Sequence, residues 1–327
     1  MAFSRAEDGV NRMKGRRPWL AVLFVASSVA QADVPPRQMA LTIDDLPSQE
    51  VRRSGEADLA ARNARIVAAL KGTQAIGFVN EDKLEVGGQV APQRVQWLRD
   101  WLAAGIELGN HTDSHNGLHQ TPIEAYERSI RDGERVLRPL MAEFGREPRW
   151  FRHPYLHAGQ DEAVRVRLDA FLAQHGYRVA PVTIDNGEWI YARAYMMLLE
   201  AGESEKARAL IPDYVDYMEA KCQFFEQASK RLFGREIPQV LLIHANALNA
   251  DALPRLLERM RRRGYEFVDL DSALADPAYR HADAYRGRAG ISWLHRWAIS
   301  EKKPKPFYEG EPAVPQLVLD LAGVEGE

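Results

Sequence analysis

Two histidines four residues apart, His111 and His115, lie in the stretch Gly109-Asn110-His111-Thr112-Asp113-Ser114-His115, directly after the strand-like run Ile106-Glu107-Leu108. At the mouth of a buried strand, imidazoles at this spacing reach one metal ion. They offer only neutral nitrogen, so a divalent ion bound there still needs an anionic oxygen from a neighbouring strand end. Asp44-Asp45, closing the apolar run Met39-Ala40-Leu41-Thr42-Ile43, supplies two carboxylates, one to ligate and one to stay free as a base. The H-x-x-x-H spacing is common by chance, so the reading depends on the elements around it.

Those elements alternate. Strand-like runs are expected at 39–45, 74–80, 106–111, 149–154, 177–185, 238–244 and 265–270, with helices at 57–71, 91–104, 121–144, 162–175, within 191–233, and at 249–263. Thr121-Pro122-Ile123-Glu124 reads as a capping box with proline at the first helical position. Gly105, Gly145, Gly176 and Gly264 each separate a helix from the strand after it. Seven β/α repeats point to an α/β barrel, closed or partly open, with its chemistry at the carboxyl ends of the strands. Asp44-Asp45, His111, Arg152, Asp185 and His244 all close strand runs, and unrelated polar residues would not gather on one rim.

The 327 residues suffice for a full core. A basic stretch with Lys14, Arg16 and Arg17, an apolar run from Trp19 to Ala30, and then Ala30-Gln31-Ala32 read as a signal peptide over residues 1–32, cleaved after Ala32. That apolar run is too short for a transmembrane anchor, which needs about 20 helical residues. Five of the 43 basic and two of the 46 acidic side chains lie in this leader, leaving 38 against 44, a formal charge of −6. Nothing in that balance suggests nucleic acid. Cys222 is the only cysteine, so an exported chain must fold without an internal disulfide and cannot build a cysteine-rich zinc site.

Residues 191–233 are expected to be a helical insertion, serving as a packing cap or as a substrate lid. Residues 276–327 form a C-terminal extension in which Trp293 and Trp297 either stack on a sugar or pack against the barrel.

Five stretches then fall in order: Thr42-Ile43-Asp44-Asp45-Leu46-Pro47, His111-Thr112-Asp113-Ser114-His115, Arg152-His153-Pro154-Tyr155, Asp185-Asn186-Gly187-Glu188-Trp189 and Leu241-Leu242-Ile243-His244. Together they resemble the five motifs of the polysaccharide deacetylases, the NodB-homology or carbohydrate esterase family 4 enzymes. The resemblance spans roughly residues 39–270 and implies a distorted (β/α)7 barrel domain over residues 33–275. It implies that Asp45, His111 and His115 ligate a divalent metal, zinc foremost with cobalt or nickel acceptable, and that Asp44 is the catalytic base. Arg152 would keep Asp44 ionised, Tyr155 would offer its backbone N–H to the oxyanion, and His244 would be the general acid, partnered by Glu188. Trp189 and Leu242 would wall a small pocket for the acetyl methyl, with Asp185 at the rim.

Four residues depart from the usual family pattern: Leu46 for glycine, His153 for proline, Glu188 for aspartate, and Ala245 where aspartate often follows the histidine. They leave the ligands, base and acid in place but alter the rim. His153 and His157 add imidazoles that either bind substrate or face solvent. Asn110 and Asp113 either support the ligands or stabilise their loop, and His119, His175, His281 and His295 read as surface positions. The sequence therefore implies an exported, periplasmic or extracellular, metal-dependent hydrolase that removes N-acetyl or O-acetyl groups from a glycan or oligosaccharide. The alternatives are an amidase acting on a non-sugar C–N bond and a glycan-binding relative without turnover.

Overall fold

The computed structural model describes residues 36–326, besides Gly9; apart from that glycine the expected leader, residues 1–32, lies outside the described residues. Among the described residues there are nine strands: β1 (Arg37–Leu46), β2 (Ile76–Val79), β3 (Glu85–Val86), β4 (Gln89–Val90), β5 (Glu107–Asn110), β6 (Trp150–Phe151), β7 (Arg178–Val179), β8 (Gln239–His244) and β9 (Tyr265–Phe267). β3 and β4 form a small antiparallel hairpin. The other seven make one parallel sheet in the order β7-β6-β5-β2-β1-β8, with β9 beside the first residues of β1. Beyond β7 the chain crosses to the far edge of the sheet, where Ile184 bridges Leu241 and the Leu242 N–H donates to the Ile184 carbonyl at 3.3 Å. The sheet thereby curls into a distorted (β/α)7 barrel.

Side chains alternate across a strand, and the inner column of the barrel follows from that period. Ala40, Ile76, Phe78, Trp150, Ala180 and Val240 pack together inside. One layer above Ala40 lies Thr42, then Asp44; above Val240 lie Leu242, then His244. β1 and β8 run in register with Asp44 opposite His244, so both inner columns end at the same height. Met39, Leu41 and Ile43, on the opposite face of β1, join the larger cluster formed with the helices.

The expected elements occur with three corrections. The fifth run forms a ladder only at 178–179, because Pro181 has no N–H to give and the chain bends toward β8. The helix expected over 121–144 is two, Ile123–Asp132 and Leu137–Ala142. The break falls at Gly133, where a Cβ would lie 2.9 Å from the backbone carbon of Thr112 and 3.0 Å from Asn110 Oδ1, so the interruption lets the helix approach the histidine loop. Thr121 makes no side-chain capping bond, and Pro122 occupies the cap position rather than the first helical one.

The stretch expected to be helical within 191–233 contains the helices Glu188–Glu200 and Ser204–Phe233. Farther on, the helix Trp293–Ser300 buries both Trp293 and Trp297, which leaves neither as a platform for a sugar. His295 on the same helix is also buried, against Phe224, Phe225 and Tyr308, and is not a surface position. The cause is the aromatic seam between this helix and Ser204–Phe233, which takes one face of the imidazole. Among the described residues no helix is long and apolar enough to cross a membrane.

The barrel tolerates little added volume where β2 and β5 meet. A Cβ on Gly109 would fall 2.6 Å from the Phe78 ring and 2.9 Å from the Trp150 carbonyl oxygen. Gly109→Ala should therefore lower stability by about 1–3 kcal/mol, read as a lower urea midpoint at unchanged slope. An unchanged midpoint would contradict this packing.

Candidate metal centre and acid-base groups

Asp45 departs from strand geometry: its φ is 71°, and the β1–β2 register shifts between Ile43 and Leu46. Regular alternation would send Asp44 and Asp45 to opposite faces; this left-handed turn instead keeps both carboxylates at the barrel mouth. Asp45 Oδ1 lies 3.5 Å from His115 Nε2 and 4.0 Å from His111 Nε2. One ligand atom from each of Asp45, His111 and His115 falls within 4.8 Å of the others. Ligands at about 2.0–2.2 Å from a common ion are about 3.4 Å apart in tetrahedral geometry and about 4.2 Å apart when opposed, so these separations suit one zinc-sized ion.

The histidines are prepared for that task. His111 Nδ1 lies 2.8 Å from the Arg152 carbonyl, which can only accept; this puts the proton on Nδ1 and leaves the Nε2 lone pair facing Asp45. Burial pushes the pKa of both His111 and His115 down, favouring the neutral, ligating form. The loop that carries them is fixed from below. Asn110 Oδ1 accepts from the Thr112 N–H at 2.7 Å, and its amide donates to the Ile130 carbonyl and to Tyr177; Asn80 donates to the His111 carbonyl at 2.6 Å. Asp113 pairs with Arg135 at 3.0 Å, away from the ligands.

Asp44 and Asp45 differ electrostatically. For Asp45, burial opposes ionisation, but Lys83, His115, His244 and His111 together outweigh it and hold the carboxyl well below its usual range. For Asp44, burial prevails over Arg152 and His244 and pushes the pKa up to about 6. Arg152 favours the ionised form of Asp44 but does not outweigh burial. Its Nη1 reaches the Asp44 carboxylate only at 3.3–3.4 Å, while Nε serves the Ala180 carbonyl and Nη2 serves Thr42. Asp44 Oδ2 lies 3.7 Å from His111 Nε2, beside the ligand set.

His244 closes the opposite wall. Its Nδ1 is 2.6 Å from Glu188 Oε2, and Glu188 Oε1 accepts from Asn246 at 2.5 Å and Asn249 at 2.6 Å. Burial would lower the His244 pKa, but the buried Glu188 carboxylate wins, with smaller help from Asp45 and Asp44, and raises it to about 9. Asp185 sits after the Ile184 bridge, accepts the Asn186 N–H at 3.0 Å, and contributes its charge to Arg152. Tyr155 is exposed, with φ 56°, and its ring meets His115 edge-on at 4.5 Å. Trp189 is the second residue of the helix Glu188–Glu200 and is partly exposed, whereas Leu242 is buried two residues before His244.

The departing residues have structural uses. Leu46 is buried against Gly77, near Trp101. His153 is buried beside Phe151 and Tyr126, and His157 stacks on His119 at 4.0 Å, so neither imidazole simply faces solvent. Sequence reasoning missed Lys83, whose Nζ lies 2.8 Å from Asp45 Oδ1. It also missed Asn80, Asn246 and Asn249. Asn80 ends the second strand run and follows the same rim rule that found the others; Lys83, three residues farther on, carries no such signal.

Zinc titrated calorimetrically should bind one per chain. His115→Ala should weaken that binding about 100-fold or more, whereas Asp44→Asn should keep one site. Lys83→Met, which removes a cation from the same Asp45 oxygen, should tighten it. Equal affinity in His115→Ala and the unsubstituted chain would contradict the ligand set.

Residues 31–180 match the family model described as polysaccharide deacetylase; that span includes Asp44, Asp45, His111, His115, Arg152 and Tyr155 but not Glu188 or His244. No curated protein matches the chain significantly. Similar solved structures include the peptidoglycan deacetylase PdaC from Bacillus subtilis, at 21% identity over 75% of this chain and 94% of that one, TM-score 0.46. A family 4 carbohydrate esterase from Streptomyces lividans in complex with acetate is 20% identical over 72% and 95%, TM-score 0.44. A family 4 pseudoenzyme from Bacillus anthracis is 15% identical over 73% and 66%, TM-score 0.47. The segment 31–180, which carries Asp44, Asp45, His111 and His115, is thus similar to the polysaccharide deacetylase family.

Proposed function

We propose that this protein is a metal-dependent deacetylase that hydrolyses N-acetyl groups of a glycan, releasing acetate and a free amine. The observation that carries the reading is the division between two adjacent carboxylates, Asp45 turned toward both imidazoles and Asp44 left beside them. Asp45, His111 and His115 would hold a divalent cation, which would supply Lewis-acid polarisation of the substrate carbonyl and a lowered pKa for water. Asp44 takes a proton from water as the oxygen attacks the carbonyl carbon. The carbonyl π bond becomes an oxyanion, to which the Tyr155 backbone N–H donates; such a donor contributes about 3 kcal/mol at the transition state. His244, protonated through Glu188, gives its proton to the leaving nitrogen as the C–N bond breaks, because the amine would otherwise have to depart as a strongly basic anion. Trp189 and Leu242 flank the acetyl methyl, and Asp185 supports Arg152 from the rim.

In this reading residues 33–275 form the deacetylase domain, with the helical insertion at 191–233 and the extension at 276–327. The leader over residues 1–32 exports the chain to the periplasm or beyond.

The raised pKa of His244 fixes the sign of the alkaline response. The acid is protonated below about pH 9 and lost as pH rises through that value. Acetylated glucosamine oligomers should release acetate in a chelator-sensitive reaction whose kcat/KM falls on the alkaline side near that pH. Glu188→Gln should move that limb to lower pH, and His244→Ala should cut kcat by about 100- to 10,000-fold. Acetate release indifferent to chelator, or an alkaline limb unmoved in Glu188→Gln, would overturn the mechanism. Release from small non-sugar amides alone would keep the chemistry and replace the substrate.

A further inference from the structure

The turn that carries Tyr155 is unusual: Tyr155 and Leu156 both have left-handed backbones, with φ 56° and 53°. Side chains with a Cβ resist that conformation, so two in succession persist only where surrounding contacts over-determine them. Within the turn the Leu156 N–H donates to the His153 carbonyl at 3.0 Å and the His157 N–H to Pro154 at 3.1 Å; neither bond uses the Tyr155 N–H.

The missing constraint comes from the far end of the chain. Gly290 lies against the turn so closely that a Cβ there would sit 1.7 Å from the Tyr155 carbonyl oxygen and 2.9 Å from Leu156 Cβ. Gly290 is not itself left-handed, so the contact rather than its own backbone excludes a side chain. The segment around it is anchored at both ends. At one, the Asp283 carboxylate receives Arg296 at 2.6 Å and Arg165 at 3.0 Å, and Arg165 also donates to the Asp283 carbonyl. At the other, Ser292 Oγ donates to the Thr183 carbonyl and the Trp293 N–H to Val182, both at 2.7 Å. Between them the Arg288 carbonyl accepts from His119 Nδ1 at 3.0 Å, and His119 Nε2 accepts the Gly159 N–H at 3.2 Å, joining the segment to the chain just beyond the turn.

We propose that residues 283–296 form a strap that holds the Tyr155–Leu156 turn in its left-handed conformation, with Gly290 as a positioning residue for the Tyr155 backbone N–H. The catalytic consequence rests on the reading of that N–H as the oxyanion donor. The strap itself is a statement about the turn.

The test compares the full chain with Gly290→Ala and Asp283→Asn by amide hydrogen exchange, zinc calorimetry and acetate-release kinetics. Gly290→Ala should speed exchange of the Leu156 and His157 amides about tenfold or more while leaving zinc affinity unchanged. It should lower kcat about 100-fold with little change in KM, as loss of a transition-state donor does. Asp283→Asn should move both readouts in the same direction by less. If Gly290→Ala fails to fold, Asp283→Asn decides. Unchanged exchange at 156 and 157 overturns the strap, and faster exchange with unchanged kcat overturns the positioning role. If the unsubstituted chain releases no acetate, the proposed function falls while the exchange data still judge the strap.

Discussion

The left-handed turn at Asp45 is the constraint on which the site depends. An extended strand would place Asp44 inside the barrel and Asp45 outside it, leaving the histidines without an anionic partner. With φ at 71°, Asp45 swings toward His111 and His115 while Asp44 keeps its inner position over Thr42. Such a conformation is costly for an aspartate, and the interactions that offset it are visible: Lys83 and Gln49 hold the two carboxylate oxygens, and β1 is paired on both edges up to this point.

The rest of the mouth follows from register. Because Asp44 and His244 are direct partners across β1 and β8, the proposed base and the proposed acid are set at one height on neighbouring strands. Their protonation is then tuned in opposite ways by what lies behind each. Arg152 is shared among Asp44, Thr42 and the Ala180 carbonyl, so burial dominates Asp44 and the carboxyl is only weakly acidic. Glu188 is committed to His244 and two asparagine amides, so it stabilises the imidazolium. Both pKa values move upward, Asp44 to about 6 and His244 to about 9, which suits a base that is ionised and an acid that is protonated near neutral pH.

Much of this was legible in the sequence because it follows short periods. The strand runs ending at Asp44-Asp45, His111, Arg152 and His244 follow from apolar patterning, and Gly105 and Gly145 mark where the second and third of them begin. The left-handed conformation of Asp45 was not legible, since no glycine or asparagine marks it. Lys83 was missed because it reaches Asp45 from a short 3-10 turn, and Gly290 because its partner lies 135 residues away. The split of the 121–144 helix also depended on contact: Gly133 reads as a tolerated helix glycine until Thr112 and Asn110 are seen against it. Periodicity locates strand ends; what touches them across the fold decides their chemistry.

Anomalous diffraction from crystals soaked in zinc tests the central claim most directly. The account predicts one ion within about 2.0–2.2 Å of Asp45 Oδ1, His111 Nε2 and His115 Nε2, with Asp44 outside the coordination sphere. An ion ligated by Asp44 in place of Asp45, or none between the two histidines at saturating zinc, would contradict it.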